Sequence, residues 1–107
     1  NMATNIAIQD SIAAAQDSIE NAAAMAPVMA AQALFEANNY QAAEQQLNAA
    51  IDKGIGRPYW LARAFVLLSD IYKAEGRAIE AKQTLESLKA NYKEDDDIKK
   101  MIEERMK

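Results

Sequence analysis

Apolar residues recur every three or four positions through most of this chain, and the interruptions fall at Pro, Gly and paired Asn. That period predicts amphipathic helices rather than strands, which would alternate every second residue. The clearest stretch is 61–92. Taken as two helices joined at Gly76, it places Leu61, Ala64, Phe65, Leu68 and Tyr72 on one helical face and Ala78, Ala81, Leu85, Leu88 and Tyr92 on the other. It is a helical hairpin with small residues at the crossing.

From the start of the chain, 6–24 is predicted as a helix with Ile8, Ile12, Ala15, Ile19 and Ala22 at alternating steps of four and three. Such a stripe packs on something. Docking on the following helices is favoured over a dimer seam, because under three heptads is short for an independent coiled coil. Pro27 is expected to break or restart the helix, since it lacks an amide proton and fits best in a first turn. A second helix, 27–37, turns Ala30, Ala31, Leu34 and Phe35 inward and stops at Asn38 and Asn39, Asn entering a left-handed cap at little cost. A third, 40–53, carries Tyr40, Ala43, Leu47, Ala50 and Ile51 on its inner face and ends at Gly54. After the loop 54–57, Pro58 suits the first turn of a fourth helix reaching residue 75, and a fifth spans 77–91. The last follows Glu94, Asp95, Asp96 and Asp97, acids at the end where the helix dipole favours them. A calcium loop would need spaced oxygen ligands, a turn Gly and a distal Glu, so these acids read as a cap. The fold class is all-α.

Composition narrows the function more than the fold. The 107 residues include no His and no Cys, which removes imidazole acid–base chemistry, thiol nucleophiles and the common zinc sites. Asp70 and Glu75, five residues apart on a helix, face different directions and have no electrophile beside them. No catalytic residue, cofactor or metal is expected, and the chain does not read as an enzyme. The most apolar run, 22–31, is about half a bilayer span and contains Pro27. No Lys or Arg precedes Lys53 and no compact apolar region stands near the start, unlike a signal peptide. Six acids face one base up to Lys53, and ten acids meet eleven bases after it. Neither part is a polyanion surface, so nucleic acid is not an expected partner.

Sliding the chain by 38 residues superposes Ala31 on Ser69, Leu34 on Tyr72, Asn38 on Gly76, Ala43 on Ala81, Leu47 on Leu85 and Ala50 on Leu88. This order of small, large and turn residues resembles the tetratricopeptide repeat, whose small residues let two antiparallel helices approach closely. Phe65, Leu68, Ser69, Tyr72, Gly76, Ala81, Leu85 and Leu88 suit that pattern. Two positions depart from it: Ala78 replaces the usual aromatic after the turn, and Pro27 stands where a large residue is usual. The offset exceeds the family's period of about 34, and the extra turn is placed at 57–61, lengthening the fourth helix. Ile8, Ile12 and Ala15 stand 35 residues before Ala43, Leu47 and Ala50, so the first helix could fill the place of a preceding repeat's second helix. Segments 59–76 and 95–105 are similar to the C-terminal repeats of large tetratricopeptide proteins of Bacteroidetes bacteria.

The resemblance implies antiparallel hairpins stacked as a short right-handed superhelix. An N-terminal helix occupies 1–24, one repeat 25–57, a second 58–92, and a capping helix 93–107 carries Ile98, Met101, Ile102 and Met106. It implies a protein or peptide partner held in a concave groove, with groove positions Val28, Gln32, Phe35 and Glu36 in the first copy and Arg63, Val66, Asp70 and Lys73 in the second. Chaperone-carboxylate clamps of the family present Lys and Asn, whereas here Val28, Gln32 and Asp70 stand there. The alternative is a homodimer formed through the first or last helix. Tyr59 and Trp60 beside Arg57 could be a ligand platform, although such clusters more often anchor a loop. Bacterial cytoplasm or the periplasmic side of the envelope would suit such a protein.

Overall fold

Pro27 does not break the chain into two helices. In a computed structural model, which describes the backbone of residues 2–107 and the side chains from residue 19 onward, α1 runs without interruption over Met2–Glu36. An interior Pro removes one hydrogen bond and disfavours a helix by about 3 kcal/mol. Contacts on both sides of it oppose that cost. Ala24, Val28 and Ala31 are buried against the neighbouring helices. One turn upstream, Glu20 pairs with Arg57 at 3.0 Å and Asn21 Oδ1 accepts from Trp60 Nε1 at 3.1 Å. Residue 23, whose carbonyl loses its amide partner, is exposed and open to water. The expected division at residue 24 therefore falls inside a continuous helix. The positions Ile8, Ile12 and Ala15 lie outside the residues whose side chains are described.

The other elements follow the sequence reading closely. They are α2 (Tyr40–Lys53), α3 (Pro58–Ala74), α4 (Ala78–Asn91) and α5 (Asp97–Arg105), with no strand among the described residues. α1–α2 and α3–α4 close with the same turn, 38 residues apart. In the first, Asn38 has φ 64° and the Asn39 amide donates to the Leu34 carbonyl at 2.9 Å; in the second, Gly76 has φ 81° and the Arg77 amide donates to Tyr72 at 2.8 Å. Both are six-to-one closures of the Schellman type, which need a residue tolerant of positive φ. At its other end α3 starts with Pro58 in the first turn, and α5 is capped by Asp96, whose carboxylate accepts from the Ile98 amide at 3.0 Å.

α3 is the axis of the molecule. Among the described residues it touches α1, α2, α4 and α5, while α2 and α4 do not meet and neither do α1 and α5. Ala64, Leu67, Leu68 and Ile71 join Val28, Ala31, Ala43 and Leu47 in one core; Ala62 and Val66 join Leu85, Leu88, Ile98 and Ile102 in a second, and Phe65 borders both. The hairpin crossings are tight at equivalent positions, where Ala31 and Ser69 are both essentially inaccessible. Ser69 is tolerated there because its hydroxyl donates to the Val66 carbonyl at 2.6 Å. α1 extends the molecule: 35 residues at 1.5 Å each make about 52 Å, and the longest dimension is 62 Å.

Candidate functional site

Because α1, α3 and α5 lie side by side, their common face forms a shallow depression of about 170 Å³. It is lined by Val28, Gln32, Phe35 and Glu36 of α1, Arg63, Val66, Leu67 and Asp70 of α3, and Met101 and Arg105 of α5. Seven of the eight sequence-derived groove positions are thus brought together. The eighth, Lys73, is exposed one turn beyond and does not line the depression.

The seven differ in what they offer a partner. Val28 and Val66, expected at the surface, are 1% and 3% exposed. They are core residues under the floor, since the helices approach closely enough there to cover a short branched side chain. Gln32 and Glu36 form a polar rim, with Gln32 Nε2 donating to Glu36 Oε1 at 3.3 Å. Asp70 is held by Arg105, whose Nε and Nη2 donate to its two carboxylate oxygens at 2.8 and 3.0 Å. This two-point pairing neutralises the charge that a partner's carboxylate would otherwise meet. Arg105 was not picked out from sequence. The spacing of 35 residues between the two has no local signature, and only the packing of α5 on α3 joins them.

The aromatic residues at the start of α3 act as anchors. Trp60 reaches α1 through Asn21, and Tyr59 donates to Asp97 Oδ2 at the start of α5 at 2.8 Å. The two rings meet edge to face at 5.1 Å, and Arg63 lies over both while donating to the Tyr59 oxygen at 3.1 Å. Burial pushes the Tyr59 phenol up, opposed by the Arg63 bond. Tyr92 is raised by burial and then by its 2.6 Å bond to Asp96. Both phenols therefore stay protonated as donors at neutral pH.

A second charged cluster sits at the turn between α3 and α4. Arg77 pairs with Glu44 of α2 at 3.0 Å, with Glu75 at 3.6 Å and with Glu80, and lies 4.3 Å above the Tyr72 ring. It ties the second turn to the first hairpin. The Arg77 bond lowers Glu80, whereas burial and then the nearby Glu44 raise Glu75. A larger cleft lies elsewhere, about 710 Å³ between α1 and the end of α2, with Ala23, Pro27, Ala49 and Ala50 in its wall.

Among the described residues no group of His, Cys, Asp and Glu is arranged to hold a metal ion, and no helix is long and apolar enough to cross a membrane. No family model matches the chain, nor does any curated protein or solved structure.

Proposed function

We propose that this chain is a non-enzymatic binding scaffold of the tetratricopeptide type. In this reading α1–α2 and α3–α4 are two repeats in a right-handed superhelix, α5 is the cap, and the face shared by α1, α3 and α5 receives a peptide or a partner's helix. The observation that carries it is the convergence on one depression of seven residues that the resemblance implies for the groove. The matching turns at Asn38 and Gly76 support the same repeat register. Contact is made by the rim, Gln32, Phe35 and Glu36, and by the exposed Lys73 one turn beyond it, with Val28 and Val66 buried under the floor. The partner is a protein or peptide, not nucleic acid, with no direct insertion into a membrane, and the compartment is the bacterial cytoplasm or the periplasmic side of the envelope.

Cross-linking with mass spectrometry would identify the bound protein, and titration would measure its affinity. Replacing Gln32 and Lys73 together by Ala should weaken binding at least about tenfold, a loss of about 1.4 kcal/mol. Replacing Glu86 and Lys89, both exposed on α4, should leave it unchanged. If the first pair has no effect while the second abolishes binding, the groove is not the site.

A further inference from the structure

Two arginines line the groove, and they are tethered alike. Arg105 donates from Nη1 to the Met101 carbonyl at 3.0 Å, and its Nε and Nη2 hold the two oxygens of Asp70 at 2.8 and 3.0 Å. Arg63 donates from Nη1 to the Tyr59 oxygen at 3.1 Å, and its guanidinium carbon lies 5.9 and 5.3 Å from the centres of the Tyr59 and Trp60 rings. Among the described residues no carboxylate of the chain meets its Nε and Nη2. Those two N–H groups form the edge of a guanidinium that matches the two oxygens of a carboxylate. The groove thus carries one arrangement twice: at Arg105 an acid of the chain completes it, and at Arg63 no described residue does.

We propose that Arg63 receives the side-chain carboxylate of an Asp or Glu within the bound peptide, an assignment that rests on the groove being the binding face. Preorganisation is the first reason. Arg63 is half-buried, its plane set by two rings, and Tyr59 is itself fixed by its 2.8 Å bond to Asp97. Little rotamer freedom is left to lose when an anion arrives.

Charge is the second reason. Asp70 is already answered by Arg105, and Asp97 reaches Arg63 only through the Tyr59 hydroxyl. Glu36, the other acid of the depression, stands away from it. The bonds from Arg57 to Glu20 and from Trp60 to Asn21 set α3 beside α1 with an offset of 37 to 39 residues. Glu36 is therefore level with the end of α3, about 16 Å along the axis from Arg63. A cation partly withdrawn from water and lacking a paired acid attracts an anion more strongly than a fully exposed one.

The arrangement at Arg105 selects the kind of anion. Its carboxylate belongs to Asp70, in the middle of a helix, so the groove wall admits an acid borne on a continuing backbone. A phosphoryl group, with about two charges and three acceptor oxygens, would need more donors than one edge offers. The next base without a carboxylate partner on this side of α3, Lys73, is about 15 Å further along.

Pools of short random peptides, amidated at the C terminus, supply the probe: one pool has a fixed interior Asp or Glu, the other Asn or Gln in its place. Groove binders are recognised by loss of binding to the chain carrying Gln32→Ala and Lys73→Ala. Among them, acid-bearing peptides should bind the native chain about tenfold or more tightly than their amide counterparts. On Arg63→Gln the acid-bearing peptide should fall to the affinity of the amide one, which should itself be unchanged. Arg63→Lys keeps the charge without the two-donor edge and should restore part of the difference. Equal weakening of both peptides by Arg63→Gln would make Arg63 a structural support for Tyr59 and Trp60 and overturn the assignment. Groove binders with no preference for the acid would overturn it too, leaving the groove itself standing. Preference shown only by peptides with a free C terminus would overturn the side-chain source. If no peptide depends on Gln32 and Lys73, the groove falls and the assignment with it. Should Arg63→Gln unfold, the two pools on the native chain and on Arg63→Lys still decide.

Discussion

α1 and α3 are the equivalent helices of two hairpins closed by the same turn, yet their surroundings differ. α3 is buried nearly all round, with Ala62, Ala64, Val66, Leu67, Leu68, Ser69 and Ile71 inaccessible. α1 is buried along one line, Ala24, Val28 and Ala31, and bare on the opposite side. Position in the stack makes the difference. α3 has α1, α2, α4 and α5 as neighbours, whereas α1 is the outer member and has α2 and α3 on one side only. What a hairpin buries is therefore set by what stands next to it, not by its own turn and crossing. The residue types agree: bulky side chains crowd α3, while the bare side of α1 is mostly Ala.

The largest expected effect tests that contrast directly. Ile71 is fully buried and Ile19 is 67% exposed. Ile71→Ala should destabilise the chain by about 2–5 kcal/mol through lost burial and the cavity left behind. Ile19→Ala at low protein concentration should change stability by less than about 0.5 kcal/mol. Urea midpoints of the two variants measure this. Similar losses at both sites would mean that the outer face of α1 is covered within a single chain.

Next in size is Pro27→Ala. Because α1 passes through Pro27 unbroken, Ala should restore a hydrogen bond and relieve the ring's clash, stabilising the helix by about 1–3 kcal/mol. Calorimetry would show a higher Tm with unchanged helical content. A gain in helicity instead would mean that the native helix is interrupted at 27.

Pro27 also marks where sequence reading reaches its limit. Helix ends set by local chemistry were legible: Asn38, Gly54, Pro58, Gly76 and Asp96 each act within a few residues of themselves. The continuity of α1 was not legible, because the bonds that tie its middle to the body, from Arg57 and Trp60, reach back across 37 and 39 residues. For the groove, repetition located the right helix faces but could not separate rim from floor. Val28 and Val66 sit at positions that carry contact residues only when the side chain is long enough to emerge. The Asp70–Arg105 pair was hidden because α5 meets α3 only in the folded chain.

The two turns should respond differently to the same change. At Gly76, φ is 81° and a Cβ would meet nothing within 4 Å. The cost of Gly76→Ala is thus conformational only, about 1–2 kcal/mol. Asn38 already tolerates its φ of 64°, so Asn38→Gly should shift stability by only a few tenths, near the roughly 0.5 kcal/mol scatter of neutral sites. Equal and large losses at both turns would mean that side-chain bonds, such as that from the Tyr40 hydroxyl to Asn38 Oδ1, hold the first turn rather than backbone preference.

The smallest effect concerns the charges at these turns. The residue after Gly76 is Arg77, paired with Glu44, Glu75 and Glu80, whereas its counterpart after Asn38 is the uncharged Asn39. Glu80 lies below its ordinary 4.5 because Arg77 bonds to it. The folded chain then binds that proton less readily than the unfolded one, and the stabilisation, complete above 4.5, is lost as pH falls through and below that value. Glu75 has the opposite sign. Burial and Glu44 raise it above 4.5, so it takes up a proton first in the folded state and favours folding as acid is added. Tm should hold nearly level on approach to 4.5 and fall below it, and Arg77→Gln should flatten that fall, while Asn39→Gln should leave it unchanged. Melting curves at intervals from about pH 6 to about pH 3 test this. If the Arg77 variant keeps the native slope, the acid sensitivity belongs to other carboxylates, and the two turns differ only in backbone.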